Sequence, residues 1–466
     1  MNYSRRQSER MSFSAPDIVD GVSMIHPLTV DISGVSIDTR TLKEAELYIA
    51  IRGENLNGHD YISEAVAGGA SGIVASRTWY SENQSVVGED VPLFLVTDTQ
   101  LFLGLYANNH RKEQNKPVIG ITGSNGKTTV KEMAALVLSK IGRVHKTEGN
   151  RNNHIGVPMT LLSMPDSAEY VIIEMGINQP GEMSYLCSIA EPDVALITNV
   201  EIAHTQFFAD IDKVAQAKGE IFTHMAAGGT AIVNIDDPRI EKMGKSLERK
   251  LIYSFNFEAD VQGRIVQMEK DSHATVEFNG CKPFTLKVIG KKMASNALAA
   301  AAIGLKFAVP IPDIRDAIAS YEGFKGRMSK LEIAGRIIID DTYNANPSSV
   351  ELAVDTLVSF NSSSKKIVVF GDMLELGRLS EQKHREAGMK MADVGISAVY
   401  GFGPGAELTV EEAKNGGVNE VSHFESKKEL ADRLMDYSES GDMILVKGSR
   451  GMKMEDVIGY MSGEST

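Results

Sequence analysis

The chain has 466 residues, which at ~150 residues per domain predicts about three domains, each long enough to bury a core. Its 62 acidic against 48 basic residues give a net charge of −14, which argues against nucleic acid or an anionic membrane as a general partner. Two cysteines form neither a disulfide framework nor a cysteine-based zinc site, so we expect reduced thiols in a cytoplasmic protein. No segment reaches the ~18–20 apolar residues of a membrane span.

Two polar stretches are candidate domain boundaries. Residues 111–117 (RKEQNKP) and 323–330 (GFKGRMSK) each stand directly before a strongly apolar strand pattern. We therefore predict domains at residues 1–112, 113–322 and 323–466.

Apolar strand patterns alternate with helical patterns in all three segments. Continuous apolar runs of this kind are typical of a parallel sheet covered on both faces, so we predict three α/β domains in series. The strongest strand patterns are GVSIDTR (34–40), ELYIAIRG (46–53), SGIVAS (71–76), PVIGITG (117–123), YVIIE (170–174), VALITNV (194–200), RIIIDD (336–341), KIVVFGD (366–372), SAVYGFG (397–403) and MILVKGS (443–449).

The most specific motif joins an apolar strand to a helix at residues 120–129 (GITGSNGKTT). Glycines allow a tight turn whose backbone N–H groups point at an anion, and the helix N-terminus adds its positive dipole end. The motif predicts that Lys127 reaches the β- and γ-phosphates of a nucleotide and that the Thr128 hydroxyl binds Mg²⁺. One feature departs from the strict pattern G-x-x-x-x-G-K-[ST], because Ile121 stands where its first glycine would be.

The segment TGSNGKTT (122–129) closely resembles the ATP loop of the Mur ligases, the ATP-dependent amide-forming enzymes of bacterial cell-wall synthesis. The resemblance spans nearly the whole chain and is least specific in the N-terminal third. It extends to GVSIDTR (34–40), GENLNGHDYISEA (53–65), GNRNNHIGVPMTLL (149–162), VIIEMGINQPGEM (171–183), AKGEIF (217–222), DDTYNANPSS (340–349), GDMLELG (371–377) and VKGSRGMKME (446–455).

The resemblance implies a three-domain architecture. An N-terminal domain would bind a UDP-sugar, a central P-loop domain would bind ATP and Mg²⁺, and a C-terminal Rossmann-like domain would bind the incoming amine. The motifs look most like those of the family member that joins D-alanyl-D-alanine to UDP-N-acetylmuramoyl-tripeptide through an acyl phosphate. We expect these two substrates as partners and a monomeric enzyme.

Three candidate metal-site residues lie in the central domain, besides Thr128. Glu174 ends an apolar strand, where open α/β sheets place their ligands, and its carboxylate suits Mg²⁺. His204 follows the next strand, and the resemblance implies a role for it near the metal. Lys218 in AKGEIF would be an ordinary surface lysine on sequence alone. The family carries a carbamylated lysine at the matching position, and this anionic group would accept a second Mg²⁺.

The resemblance assigns further residues to the nucleotide. Asn296 matches the adenine-side asparagine, although Lys292 and Met293 stand where the family usually has His and Asn. Arg327 at the second boundary would clamp phosphate when the last domain closes. The predicted nucleotide-binding residues are Gly123, Ser124, Asn125, Gly126, Lys127, Thr128, Thr129, Asn296, Arg327, Asp341, Tyr343 and Asn346.

Five residues are candidates for the sugar–peptide substrate. Asn150, Asn152 and Asn153 form an amide cluster that could equally be loop-forming, and Thr39 and Arg40 resemble the uridine-diphosphate site. Two other readings stay open, namely a Mur-like ligase of different substrate and a nucleotide-dependent switch without ligase activity. The enzymes that add the third residue carry an Asn-Pro-Arg type motif, whereas Ser348 follows Asn346-Pro347 here.

Overall fold

The computed structural model describes residues 19–26, 31–53, 55–201, 208, 210–360 and 363–464. Over these residues the chain forms three β-sheets in series, each with helices packed against it.

The first sheet has the strand order β1-β5-β4-β3-β2, with β1 antiparallel to β5 and the other pairs parallel. Its last helix, α3, continues past residue 112 and ends at Gln114. This helix contacts the second unit, because Arg111 forms an ion pair with Asp193 at 2.8 Å and donates a hydrogen bond to the Ala190 carbonyl at 3.0 Å. The elements are β1 (Ser23–Ile25), β2 (Gly34–Ser36), β3 (Glu46–Ile49), α1 (Ile62–Ala67), β4 (Gly72–Ser76), α2 (Arg77–Glu82), β5 (Leu93–Val96) and α3 (Thr99–Gln114).

The second sheet has nine described strands in the order β14-β13-β12-β11-β10-β9-β6-β8-β7. Its elements are β6 (Val118–Thr122), α4 (Lys127–Leu138), β7 (Val144–Lys146), α5 (Gly156–Leu162), β8 (Tyr170–Glu174), α6 (Glu182–Ala190), β9 (Val194–Ile197), α7 (Ile211–Thr223), β10 (Thr230–Asn234), α8 (Pro238–Gly244), β11 (Lys250–Ser254), β12 (Val261–Met268), β13 (His273–Phe278), β14 (Phe284–Ile289), α9 (Lys292–Lys306) and α10 (Ile311–Ala319).

The central strands of this sheet are buried on both faces. Along β6, Val118 packs into one hydrophobic cluster while Ile119 and Ile121 pack into the cluster on the opposite face. This alternation explains the continuous apolar runs, since every residue of such a strand faces a layer of helices. The part that sequence reasoning did not predict is the antiparallel meander β12–β13–β14 at one edge.

The third sheet has the order β15-β16-β20-β17-β18-β19 and is parallel except for the β15–β16 hairpin. Its elements are β15 (Ser329–Ile333), β16 (Arg336–Asp341), α11 (Pro347–Ser359), β17 (Lys366–Gly371), α12 (Ser380–Asp393), β18 (Ala398–Phe402), α13 (Pro404–Asn415), β19 (Glu420–Phe424), α14 (Lys427–Tyr437), β20 (Met443–Lys447) and α15 (Glu455–Met461). None of the described helices is long and apolar enough to cross a lipid bilayer.

Candidate active site

A cleft of about 470 Å³ lies between the second and third sheets, at the carboxyl ends of β6, β8, β16 and β20. This edge is where open α/β sheets bind ligands, because loops and helix N-termini converge there. Ser124 to Thr129 line one wall of the cleft, and Asp341 together with Tyr343 to Asn346 contributes to the other.

The phosphate loop, residues 123–126, joins β6 to α4 and packs too closely for side chains at two positions. Gly123 has φ 147° and Gly126 has φ 84°, and a Cβ atom would lie 1.9 Å from Thr198 Oγ1 or 2.4 Å from Asn296 Oδ1, respectively. Both positions therefore require glycine. Because Gly126 caps α4 without a side chain, the first N–H groups of that helix remain available to an anion.

Glu174 lines the cleft and is 1% exposed. Its carboxylate accepts hydrogen bonds from Thr128 Oγ1 at 2.8 Å and from Asn152 Nδ2 at 2.9 Å. Burial by itself raises the pKa of Glu174, but Lys127, Arg327 and a further lysine outweigh burial and hold the pKa below its ordinary value. The group is therefore an ionised carboxylate beside a hydroxyl, a pair of hard oxygen donors suited to Mg²⁺.

Lys127 is partly buried and folds back onto its own loop, where Nζ donates to the Gly123 carbonyl at 2.8 Å. Burial lowers its pKa, Glu174 opposes that change, and the Arg327 cation adds to it. An anion entering the cleft would compensate both cations, because one carboxylate does not balance them.

Lys218 lies on α7 with 2% of its surface exposed. Burial, followed by the proximity of Lys127, lowers its pKa well below the ordinary value. No hydrogen bond or ion pair joins Lys218 to another residue in the described part of the chain, so an ammonium here would be uncompensated. A neutral amine fits this environment, and a plain ammonium does not fit a metal site. His204 lies outside the described residues.

Arg327 forms the opposite side of the cleft. Its guanidinium carbon lies 3.8 Å from the centroid of the Tyr343 ring, and its buried Nε has no hydrogen-bond partner among the described residues. Asp341 accepts from Lys447 Nζ at 2.5 Å and from the Met328 backbone N–H at 3.2 Å. The structure thus brings a stacked arginine and a paired aspartate to the same cleft as the phosphate loop.

Profiles of one family match all three sheets of the chain. The Mur ligase family catalytic domain matches residues 31–111, the Mur ligase middle domain matches residues 121–304, and the Mur ligase glutamate ligase domain matches residues 326–450. The chain belongs to the Mur ligase family. The predicted α/β class and the three-domain architecture are confirmed.

Among curated proteins, this Mur ligase is 37% identical over 436 residues to the UDP-N-acetylmuramoyl-tripeptide–D-alanyl-D-alanine ligase of Bacillus subtilis, covering 92% of each chain. It is 34% identical to the protein of the same name from Escherichia coli, over 97% of this chain and 98% of the relative.

The chain is also similar to solved structures of this family. MurF from Acinetobacter baumannii superposes with a TM-score of 0.84 and 30% identity, over 94% of this chain and 95% of that one. MurF from Thermotoga maritima, solved in complex with ADP, superposes with a TM-score of 0.80 and 28% identity, over 92% of this chain and 97% of that one.

The other predicted nucleotide residues of this Mur ligase also reach the cleft. Asn296 is buried against Gly126, and Asn346 caps α11 by accepting from the Ser349 N–H at 2.9 Å. Asn346 also donates to Asn125 Oδ1 at 3.0 Å and so joins the third sheet to the phosphate loop.

The predicted substrate residues fall into two groups. Asn150, Asn152 and Asn153 line the cleft, although the Asn153 side chain caps the start of α5 by accepting from the Gly156 N–H at 2.9 Å. Thr39 and Arg40 are not part of the cleft lining. Arg40 is 81% exposed and its Nη2 lies 2.7 Å from Asp38 Oδ2.

Sequence reasoning missed two buried lysines of the site. Lys131 is fully buried, donates to the Thr147 carbonyl at 2.7 Å and lies 3.7 Å from Glu174. Lys447 holds Asp341 from β20. Lys131 comes four residues after Lys127 in one helix, a spacing that puts both on the same helix face and could have revealed it. No local signal links Lys447 to Asp341, since 106 residues separate them.

Proposed function

We propose that this Mur ligase joins D-alanyl-D-alanine to UDP-N-acetylmuramoyl-tripeptide with consumption of ATP. The observation that supports this proposal most directly is that one cleft between two sheets contains the phosphate loop, the hydrogen-bonded pair Thr128 and Glu174, and Arg327. The B. subtilis and E. coli relatives bear the name of this activity and cover nearly the whole chain.

The reaction begins when the terminal carboxylate of the tripeptide attacks the γ-phosphorus in line. A P–O bond forms to the acid, the bond to the β-phosphate oxygen breaks, and ADP leaves. Both reactants are anionic, so neutralisation of charge contributes most of the rate enhancement. Lys127, Arg327 and the free N–H groups of α4 supply positive charge at this place.

The second step uses the acyl phosphate as an activated acid. The free amine of D-alanyl-D-alanine attacks its carbonyl carbon, and the tetrahedral intermediate expels phosphate and loses a proton to give the amide. Acyl phosphates hydrolyse in water, so the cleft must close before chemistry. The contact between Asn346 and the phosphate loop is a place where the third domain can hold that closure.

Thr128 and Glu174 would hold Mg²⁺, which when bound neutralises phosphate oxygens. The observed hydrogen bond between them places a hydroxyl and a carboxylate side by side. We propose that Lys218 serves as a carbamate that accepts a second Mg²⁺, and this proposal is supported by its proximity to Lys127 and by its lowered pKa, which favours the neutral amine that reacts with CO₂. We also propose that His204 has a role near the metal.

For the sugar–peptide substrate we propose the cleft asparagines Asn150 and Asn152, with Asn153 shaping the loop, and a uridine-diphosphate contact at Thr39 and Arg40. Arg40 would exchange its Asp38 partner for the pyrophosphate. Asp341 would hold the ribose hydroxyls of ATP. We further propose that the enzyme is monomeric and works in the cytoplasm, where ATP is available.

A phosphate-release assay with a panel of UDP-muramoyl peptides and dipeptides tests this function, with mass analysis of the product. Release that requires both the tripeptide and D-alanyl-D-alanine is expected. Release with a single amino acid as the better amine would favour a Mur-like ligase of different substrate. Turnover independent of any UDP-sugar peptide would favour a nucleotide-dependent switch.

A further inference from the structure

A partly buried ion pair lies beside the phosphate loop and has no part in the mechanism described above. Glu201 follows β9, and its Oε1 lies 2.7 Å from Lys292 Nζ at the start of α9. The two side chains are 25% and 30% exposed, respectively. Burial alone raises the pKa of Glu201, but Lys292 outweighs it and the pKa is lowered, so the carboxylate stays ionised.

The second oxygen of Glu201 fixes the orientation of a loop side chain. Asn125 Nδ2 donates to Glu201 Oε2 at 2.5 Å and also to Ser348 Oγ at 3.1 Å. An ionised carboxylate only accepts hydrogen bonds, so the amide nitrogen of Asn125 must face Glu201 and its oxygen must face the other way. That oxygen accepts from Asn346 Nδ2 at 3.0 Å.

The amide of Asn346 is fixed in turn by its own helix. Its Oδ1 accepts from the Ser349 N–H at 2.9 Å, which leaves its NH₂ group to donate to Asn125. Lys292, Glu201, Asn125 and Asn346 therefore form one continuous chain of hydrogen bonds in which each donor faces an acceptor. This chain of hydrogen bonds connects the second domain to the third.

The backbone of the loop is held by other residues. The Asn125 N–H donates to Asn199 Oδ1 at 3.0 Å, and the Asn125 carbonyl accepts from Thr198 Oγ1 at 2.6 Å. Loss of Glu201 would therefore leave the loop backbone anchored. Its effect falls on the Asn125 side chain, which is the part that contacts α11.

We propose that Glu201, charge-paired with Lys292, is a positioning residue that orients Asn125 so that the start of α11 docks on the phosphate loop. The docked arrangement places Arg327 in the same cleft as Lys127. The proposal rests on the proposed function, because it concerns closure over a nucleotide at this loop. It also gives Lys292 a role at the position where the family usually has His.

The first test is Glu201→Gln, which preserves shape but allows either end of the new amide to face Asn125. We expect kcat to fall about tenfold, as for loss of one charge-assisted hydrogen bond. KM for the UDP-sugar tripeptide should stay unchanged, and nucleotide-induced compaction, measured by small-angle X-ray scattering, should weaken. Glu351→Gln, an exposed glutamate on α11, is the matched control and should behave as wild type.

The second test asks whether the two charges act together. Lys292→Met should lower kcat like Glu201→Gln, while Lys291→Met at the exposed neighbouring position should not. The double variant should be no slower than the slower single variant, because both substitutions act through Asn125. If Glu201→Gln does not fold, Ser348→Ala probes the same contact from α11 and should weaken compaction.

Normal compaction and normal kcat in Glu201→Gln, or effects of the two substitutions that simply multiply, would overturn the positioning role. A different result would contradict the proposed function itself. Full ADP affinity and turnover in Lys127→Met would remove the nucleotide from this loop, whatever Glu201 does.

Discussion

Arg327 stacks on Tyr343, with 3.8 Å between the guanidinium carbon and the ring centroid. The buried Nε of Arg327 has no hydrogen-bond partner among the described residues. Arg327 lowers the pKa of Glu174 through space but forms no ion pair within the described part of the chain, so the aromatic face holds the arginine and its charge is available to an incoming phosphate. We therefore expect Tyr343 to act on the phosphate through Arg327.

Removing the aromatic face should misplace Arg327. A cation–π contact is worth ~0.5–2 kcal/mol, so Tyr343→Leu should lower kcat/KM by roughly 2- to 30-fold. Tyr343→Phe keeps the ring and serves as control, and steady-state kinetics with varied ATP measures both. Equal activity of the Leu and Phe variants would show that stacking is irrelevant to catalysis.

Lys127 should be indispensable for phosphoryl transfer. Lys127→Met removes a cation from the phosphate loop, and we expect kcat to fall roughly 10²- to 10³-fold, the usual cost of losing one preorganised charge-stabilising donor. Lys140→Met, an exposed substitution just beyond α4, is the control. The measurement is ADP release that depends on both substrates, and wild-type turnover in Lys127→Met would refute the assignment.

Lys218 should act as a carbamate. Lys218→Ala is expected to be nearly inactive, with activity partly restored by a short carboxylic acid or by Lys218→Glu. Lys213→Ala, at an exposed position on the same helix, provides the comparison. Since burial, and after it Lys127, lowers the pKa of Lys218, a larger fraction of this side chain is the reactive neutral amine than in an ordinary lysine, and that fraction is lost as pH falls through the lowered pKa. ¹³C NMR with labelled CO₂ should show the carbamate in wild type, and its absence together with full activity of Lys218→Ala would remove it.

Glu174 should make stability depend on acidity in a defined direction. Its pKa in the folded protein lies below the ordinary 4.5, so the stabilisation is fully present above pH 4.5 and is lost as pH falls through the lower folded value. Urea unfolding at several pH values should show this loss in wild type but not in Glu174→Gln. The variant should also need more Mg²⁺ for activity. Parallel pH profiles for the two proteins would contradict the depressed pKa.

The sequence predicts those site residues whose positions are determined by the ends of neighbouring helices and strands. Thr128 and Glu174 stand where a helix begins and a strand ends, and their meeting at 2.8 Å follows from neighbouring parallel strands. Contacts between distant segments gave no local signal. The pairing of Glu201 with Lys292 spans 91 residues.

Some side chains also have nearer partners than a ligand. Asn153 turns to the N-terminus of α5 and Arg40 to Asp38, because a hydrogen bond or ion pair is available two or three residues away. The edge meander β12–β14 was also not predicted from the sequence, because its strands are half exposed and lack the continuous apolar pattern of β6 and β8.

The most direct test of the account is a crystal structure with Mg²⁺, a non-hydrolysable ATP analogue and the UDP-sugar tripeptide. The account predicts the γ-phosphate within hydrogen-bond distance of Lys127 Nζ and of the N–H groups that begin α4, with Arg327 approaching from the opposite wall. A nucleotide bound elsewhere, with residues 123–128 free of phosphate, would contradict it.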